Sequence, residues 1–212
     1  QCLDDRDPAW QKMPHTLNLF KRGYEYVFWV DADAFFTNCG KSLQSLIDKM
    51  EQDSSSWLFS GDTLIVNTGQ MMWKNTQVAR DMLIEADKLW FPEFSHPLKD
   101  NAAIAAYLAG ARRPIDAEIL AAYEVADECH ILQNQQFQHL KSGSREALHM
   151  VSEELKQQIS FVSKRAINSY EDDFQKGDFI FHCAGQGDKK ECMTRFVTQH
   201  SALLDRCPQF WL

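Results

Sequence analysis

Residues 24–38 read YEYVFWVDADAFFTN. The run from Tyr26 to Val30 is aromatic and β-branched, the composition of a strand. It ends on two carboxylates, Asp31 and Asp33, followed by a second apolar pair, Phe35 and Phe36. An unpaired charge at the end of a buried strand is costly, so these groups call for a partner. In open α/β sheets ligands bind beyond the carboxyl ends of strands, and the two aspartates fall at such an end. Side chains two apart on extended backbone point the same way, so both carboxylates reach one point if the chain stays extended. Two like charges aimed together repel, and one is driven to take a proton. A divalent cation removes that conflict, and carboxylate oxygens suit Mg²⁺ or Mn²⁺ shared with phosphate oxygens. The competing reading of a D-x-D is a pair of solvated turn aspartates, which needs no apolar flanks.

Upstream of this strand, Pro8 to Arg22 carries Trp10, Met13, Leu17 and Phe20 near helical spacing, with Gly23 placed to end the helix. Downstream, Lys41 to Met50 reads as a helix, and Trp57 to Val66 as one or two short strands broken at Gly61-Asp62. Asn67-Thr68-Gly69 is a turn signal before a strand over Gln70 to Trp73. Thr76 to Leu89 and the Ala-rich Asp100 to Leu108 are helical, with Arg112 to Pro114 marking the exit. Glu128 to Leu132 and Ser160 to Lys164 read as short strands, with a helix over Ser144 to Gln158 between them. Lys176-Gly177-Asp178 turns into a strand over Phe179 to His182, and Glu191 to Leu204 closes as a helix. Strands alternating with helices predict a single α/β domain over residues 1–212, a mixed sheet flanked by helices.

A chain of 212 residues suits one sizeable domain. Its net charge of −8 argues against a nucleic-acid binder, which carries a basic patch or stripe. It leaves room for a small anionic ligand held through a metal. There is no 18-residue apolar run and no signal-peptide pattern at the start. The chain begins with Gln1 rather than Met, so something upstream is expected to have been removed or to lie outside it. Six cysteines, at positions 2, 39, 129, 183, 192 and 207, include no CxxC pair, which argues against a zinc ribbon. They are either disulfides of an oxidising compartment or buried thiols.

The stretch "PAWQKMPHTLNLFKRGYEYVFWVDADAFFTN" resembles the helix, strand and D-x-D of GT-A glycosyltransferases, and most of all family 34. That family includes xylosyl-, galactosyl- and mannosyltransferases. Four further blocks resemble it in the same order: "LIVNTGQMMWKNT", "PLKDNAAIAAYL", "FVSKRAINSY" and "KGDFIFHCAGQGDKKEC". The blocks span about residues 8 to 195. Each is weak alone, and a D-x-D occurs across most GT-A families; the order of five carries the resemblance.

The resemblance implies Mn²⁺ (or Mg²⁺) held by Asp31, Asp33 and a late histidine, which His182 matches by following Phe179-Ile180-Phe181 and preceding Gly185. A histidine ending a second apolar strand could complete an oxygen-rich site, or be a neutral core-edge histidine bonded to backbone. The ion would bridge the diphosphate of a nucleotide-sugar donor, UDP-linked by preference, and neutralise charge on the leaving phosphate. Gly185 and Gly187 would allow backbone approach, and Lys189 or Lys190 could pair with phosphate oxygens. Gln186 stands where the family has cysteine, and "GQGDKK" carries extra residues, so this loop is equally readable as charged and ligand-free.

Asp100 and Asn101 match the acidic-Gln pair lying under the transferred sugar, although Asn101 is shorter than the family's glutamine. Asp100 also reads as a helix N-cap. Asn67, Thr68 and Gly69 match the turn that lines the acceptor side, and such turns are also common for purely conformational reasons. Lys74 stands where the family has arginine and loses bidentate geometry. Transfer with retention of configuration, residence in the Golgi or another secretory lumen, a glycan acceptor, and a membrane anchor N-terminal to this chain are further implications of the resemblance.

GT-A enzymes bind base and ribose with a βαβ unit ahead of the D-x-D strand, and only 30 residues precede Asp31. The domain is therefore expected to be truncated at its N-terminus, to need a missing segment or partner protein, or to have lost donor binding. That opens a second class of function: a non-catalytic GT-A-derived subunit of an organelle-associated complex, in which Asp31, Asp33 and His182 fail to converge or bind no metal. A metal-dependent hydrolase ranks third, because no further cluster of acidic residues and histidine stands at comparable strand ends.

Overall fold

The computed structural model describes residues 8–61, 66–89, 99–108, 151–185 and 187–204. A 3₁₀ turn, Pro8–Gln11, leads into α1 (Lys12–Lys21), and Gly23 ends it at a positive φ of 89° that a glycine adopts without strain. Strand β1 (Tyr26–Val30) and the short β2 (Ala34–Phe36) follow, then α2 (Gln44–Gln52), β3 (Trp57–Ser60) and β4 (Asn67–Lys74). Helices α3 (Gln77–Asp87) and α4 (Lys99–Leu108) come next. The C-terminal third holds α5 (Glu153–Gln157), β5 (Ile159–Val162), α6 (Lys164–Ile167), β6 (Ile180–His182) and α7 (Lys189–Leu204).

Four strands form a sheet in the order β1-β4-β3-β5. β4 pairs antiparallel with both β1 and β3, whereas β3 and β5 run parallel, so the sheet is mixed. β2 and β6 pair antiparallel as a separate ribbon. The fold is thus mixed α/β with helices against the sheet, as the alternation of patterns predicts.

Period-two alternation explains the layers. Trp57, Phe59, Met71 and Trp73 turn to one face of the sheet and meet Trp10, Met13 and Phe20 with Met82, Leu83, Ala86 and Ile104. The intervening Leu58 and Met72 turn to the other face and meet Leu46 and Met50 of α2, Ile167, Phe179 and Ile180. A third cluster covers the ribbon, where Phe196 of α7 stacks on Phe181 with ring centroids 3.6 Å apart and on Phe35 at 5.6 Å.

Several boundaries differ from the sequence reading. Asn67-Thr68-Gly69 is the opening of β4, not a turn before it. Its backbone is held by neighbours: Gly69 O accepts from Asp31 N at 2.8 Å, and Asn67 pairs with Ser60 across a register shift that follows Phe59. The sequence's turn signal survives as a local bond, Gly69 N to Asn67 Oδ1 at 2.8 Å. Helix α2 starts at Gln44 because Lys41 to Leu43 are spent on turns that lead into it. Helix α7 begins at Lys189, and Asp188 serves its start by accepting from Glu191 N at 2.8 Å. In the predicted helix over Ser144 to Gln158, helix begins at Glu153 among the described residues, with Ser152 as its cap. The expected strand over Glu128 to Leu132, the exit at Arg112 to Pro114 and residues 62–65 of the expected second strand lie outside the described residues.

A candidate metal centre at the end of the first strand

Beyond Val30 the chain does not stay extended. Ala34 N bonds to Asp31 O at 3.2 Å, closing a tight turn over Asp31 to Ala34. The two carboxylates therefore approach each other across a turn rather than along a strand, which corrects the extended geometry expected from spacing. The turn is fixed at both ends, since Asp31 N donates to Gly69 O at 2.8 Å and Cys183 N to Asp33 O at 3.0 Å. In the β2–β6 ribbon Ala34 is the partner of His182, which sets the imidazole beside Asp33. One ligand atom each from Asp31, Asp33 and His182 lies within 4.8 Å of the others.

His182 is buried, 4% exposed, and its Nε2 stands 3.1 Å from Asp33 Oδ1. Asp33 Oδ2 accepts from Lys189 Nζ at 2.7 Å, and the same ammonium donates to Cys183 O at 2.6 Å. Burial pushes the Asp33 carboxyl up, but the hydrogen bond and charge of His182, joined by Lys189, outweigh it and hold the group well below the ordinary carboxylate range. Asp31 Oδ1 accepts from Trp29 Nε1 at 2.6 Å and lies 3.5 Å from Lys12 Nζ.

Lys12 is the residue that sequence reading missed. It occupies the first turn of α1 at 3% exposure, with its ammonium 2.8 Å from Asp100 Oδ2 and 2.9 Å from Thr68 O. Burial pushes this lysine down, and Asp100 and Asp31 more than reverse that, leaving it raised above the ordinary value. Asp100 is the second residue of α4 and 5% exposed, and Thr68 Oγ1 also donates to it at 2.7 Å. Its role as an N-cap is thus corrected: the helix starts at Lys99, and the carboxylate faces a buried lysine. Asn101 accepts from Thr68 N at 2.9 Å through Oδ1, so Asp100, Asn101 and Thr68 form one linked group. Asn67 donates from Nδ2 to the Tyr170 hydroxyl at 2.7 Å.

Gly185 has φ of 70°, and among the described residues a Cβ at Gly185 or Gly187 would meet nothing within 4 Å, so both stand in open space. Lys189 is half-exposed and presently paired with Asp33 rather than free for an anion. Trp29, Asn168 and Tyr170 also touch the group. Asn168 and Tyr170 sit in a sequence block marked only for its resemblance, and Lys12, between Trp10 and Met13, drew no reading of its own. The available signal was the strand's own demand for a countercharge.

The donor set fits a hard divalent ion. Metal–oxygen bonds of about 2.1 Å space ligand atoms about 3 to 4 Å apart, so three donors within 4.8 Å need only a small contraction. Two carboxylates and one imidazole suit Mn²⁺ or Mg²⁺ in type. Three carboxylates (Asp31, Asp33, Asp100) against two ammonium groups (Lys12, Lys189) leave an excess negative charge that an added cation reverses. Compared with known proteins, the chain matches no family model, and no curated protein or solved structure matches it significantly.

Proposed function

We propose that this chain is a metal-dependent glycosyltransferase with a GT-A-like sheet, moving a hexose or pentose from a nucleotide-diphosphate sugar to a glycan acceptor with retention. The observation that carries the reading is the meeting of Asp31, Asp33 and His182, the last two 149 residues apart in sequence, with donor atoms inside one ion's reach. The five sequence blocks in family order support it independently.

When bound, Mn²⁺ or Mg²⁺ at these residues supplies Lewis-acid neutralisation of a departing diphosphate. The remaining work falls to side chains of this chain. Lys189, half-exposed on the first turn of α7, can exchange Asp33 for a phosphate oxygen, and Gly185 lets its loop turn. Asp100 and Asn101 hold the sugar side, with the Lys12 ammonium fixing the Asp100 carboxylate at 2.8 Å. Asn67, Thr68 and Gly69 line the acceptor side from the start of β4. The buried disulfide between Cys183 and Cys192, Cα atoms 6.0 Å apart, favours an oxidising lumen such as the Golgi. No described helix is long and apolar enough to cross a membrane, so attachment would come from a segment outside the described residues.

A titration with Mn²⁺ followed by a donor screen tests the reading. Binding lost in Asp31→Ala and Asp33→Ala, with turnover of UDP-xylose, UDP-galactose, UDP-glucose or GDP-mannose by the unaltered protein, is the expected result. A second reading, a non-catalytic GT-A-derived subunit, draws on one observation: the Lys12 and Lys189 ammonium groups already pair with Asp31, Asp33 and Asp100 without an ion. Mn²⁺ that fails to bind while the alanine variants lose stability would favour that subunit.

A further inference from the structure

The ring of His182 is held on both sides. Nδ1 stands 2.8 Å from Asn168 Oδ1, and Nε2 stands 3.1 Å from Asp33 Oδ1. An amide oxygen only accepts, so Nδ1 must carry the hydrogen of that bond. In the neutral ring Nε2 then presents a lone pair toward Asp33. Two acceptors facing each other at that distance require something positive between them: a proton on Nε2, which then donates to Asp33, or a metal ion that takes the lone pair in its place.

We infer that Asn168 is the positioning residue that turns the Nε2 lone pair of His182 toward Asp33 and Asp31, making the imidazole a ligand. The inference rests on the metal reading above and adds a residue to which the sequence blocks assign no role. An opposite amide orientation would offer NH₂ to Nδ1, move the ring hydrogen to Nε2 and abolish its capacity to bind metal. Histidine ligands generally have their second nitrogen fixed in this way by an outer partner.

The surroundings hold Asn168 as firmly as His182. Ser169, its neighbour, brackets Phe181 through two backbone bonds: Ser169 N donates to Ile180 O at 3.0 Å, and His182 N to Ser169 O at 2.8 Å. Ser169 Oγ donates to Asp178 Oδ2 at 2.7 Å, and Arg165 pairs with the same carboxylate. Asn168 is fully buried and its backbone N bonds to Lys164 O at 2.7 Å. Its Nδ2 lies 3.5 Å from the Tyr170 hydroxyl, which already accepts from Asn67 Nδ2 at 2.7 Å. Asn67 is oriented in turn by Gly69 N on its Oδ1. Lys164 sits 3.4 Å from the centre of the Tyr170 ring and pairs with Asp173 at 2.8 Å, so the tyrosine is itself clamped.

The test combines ¹⁵N shifts of the neutral His182 ring with Mn²⁺ titration of the full chain and its variants. The unaltered protein should show the hydrogen on Nδ1. Asn168→Ala should lose that preference and bind Mn²⁺ about 10–100-fold more weakly, with circular dichroism unchanged. Asn168→Asp, which keeps an acceptor, should hold the hydrogen on Nδ1 and bind near the original affinity. If alanine leaves the protein unfolded, Asn168→Leu, of similar volume and without an acceptor, takes its place. A hydrogen on Nε2 in the unaltered protein, or full Mn²⁺ affinity in the acceptor-free variant, overturns the inference. Failure of the unaltered protein to bind Mn²⁺ overturns the metal reading, and the ¹⁵N shifts still decide whether Asn168 sets the ring.

Discussion

A Cβ on Gly69 would lie 2.4 Å from Cε1 of His182 and 3.0 Å from its Nδ1. The glycine is therefore a requirement of the imidazole's position, and its lack of a side chain matters more than its backbone freedom. The ring has little room to yield, since it is buried and bonded at both nitrogens. Gly69→Ala is expected to destabilise the fold by about 1–3 kcal/mol, as overpacking does, and to weaken Mn²⁺ binding. Urea melts and a metal titration check both, and a variant unchanged in each would mean that the ring is free to move.

Asp33 gives a pH prediction whose sign is fixed by its partners. Burial raises its carboxyl, while His182 and Lys189 lower it further, so the folded value lies below the unfolded one. A depressed carboxylate adds stability that is present above the ordinary value of about 3.9 and lost as the pH falls through the folded value. In chelator, Asp33→Asn should cost on the order of 2 kcal/mol at neutral pH. The gap to the unaltered protein should close as the solution is taken below about pH 4. Denaturant midpoints across that range provide the readout, and a gap that widens in acid would contradict the pairing.

Strands β3 and β4 were legible as short apolar runs, Trp57–Ser60 and Gln70 to Trp73, which are buried on both faces of the sheet. Asp31 and Asp33 were legible through a strand ending in charge, and His182 through the order of resembling blocks in which it ends a second apolar strand. Their convergence was not, because the turn at Asp31 to Ala34 and the ribbon pairing of Ala34 with His182 are tertiary facts. Lys12 escaped for a similar reason. A lysine between Trp10 and Met13 has no helical signature of burial, and only the arrival of Asp100 beside it makes burial tolerable. Asn67 to Gly69 misled as a turn because an Asn-x-Gly bond to the backbone looks the same inside a strand's irregular start.

Lys12 and Asp100 should prove strongly coupled. Removing one member of a buried pair leaves the other charge uncompensated, at a cost of about 3–5 kcal/mol, and Lys12 is 4% and Asp100 7% exposed at the side chain. Lys12→Met and Asp100→Asn should each destabilise substantially, with the double variant well short of their sum. Asp100→Asn should also slow sugar transfer more than it weakens donor binding. Additive stabilities in a double-mutant cycle would show that the ion pair carries no net energy, and a fall in stability with no fall in rate would make Asp100 purely structural.

The disulfide between Cys183 and Cys192 closes a loop with a sequence separation of 9 and begins one residue after His182. Both sulfurs are buried beside Phe35, Phe181 and Phe196, so the bond ties the start of α7 to the ribbon that carries the histidine. Lys189 lies inside that loop, and its reach to Asp33 depends on the loop staying folded. Chain entropy for a closure of this size is worth about 2–3 kcal/mol. The paired change Cys183→Ala with Cys192→Ala should therefore lower the melting temperature by about 5–10 °C. Because Lys189 then competes less well for Asp33, Mn²⁺ affinity should fall less than stability does. An affinity that collapses while the melting temperature holds would place the disulfide's role in shaping the ligands instead of closing the loop.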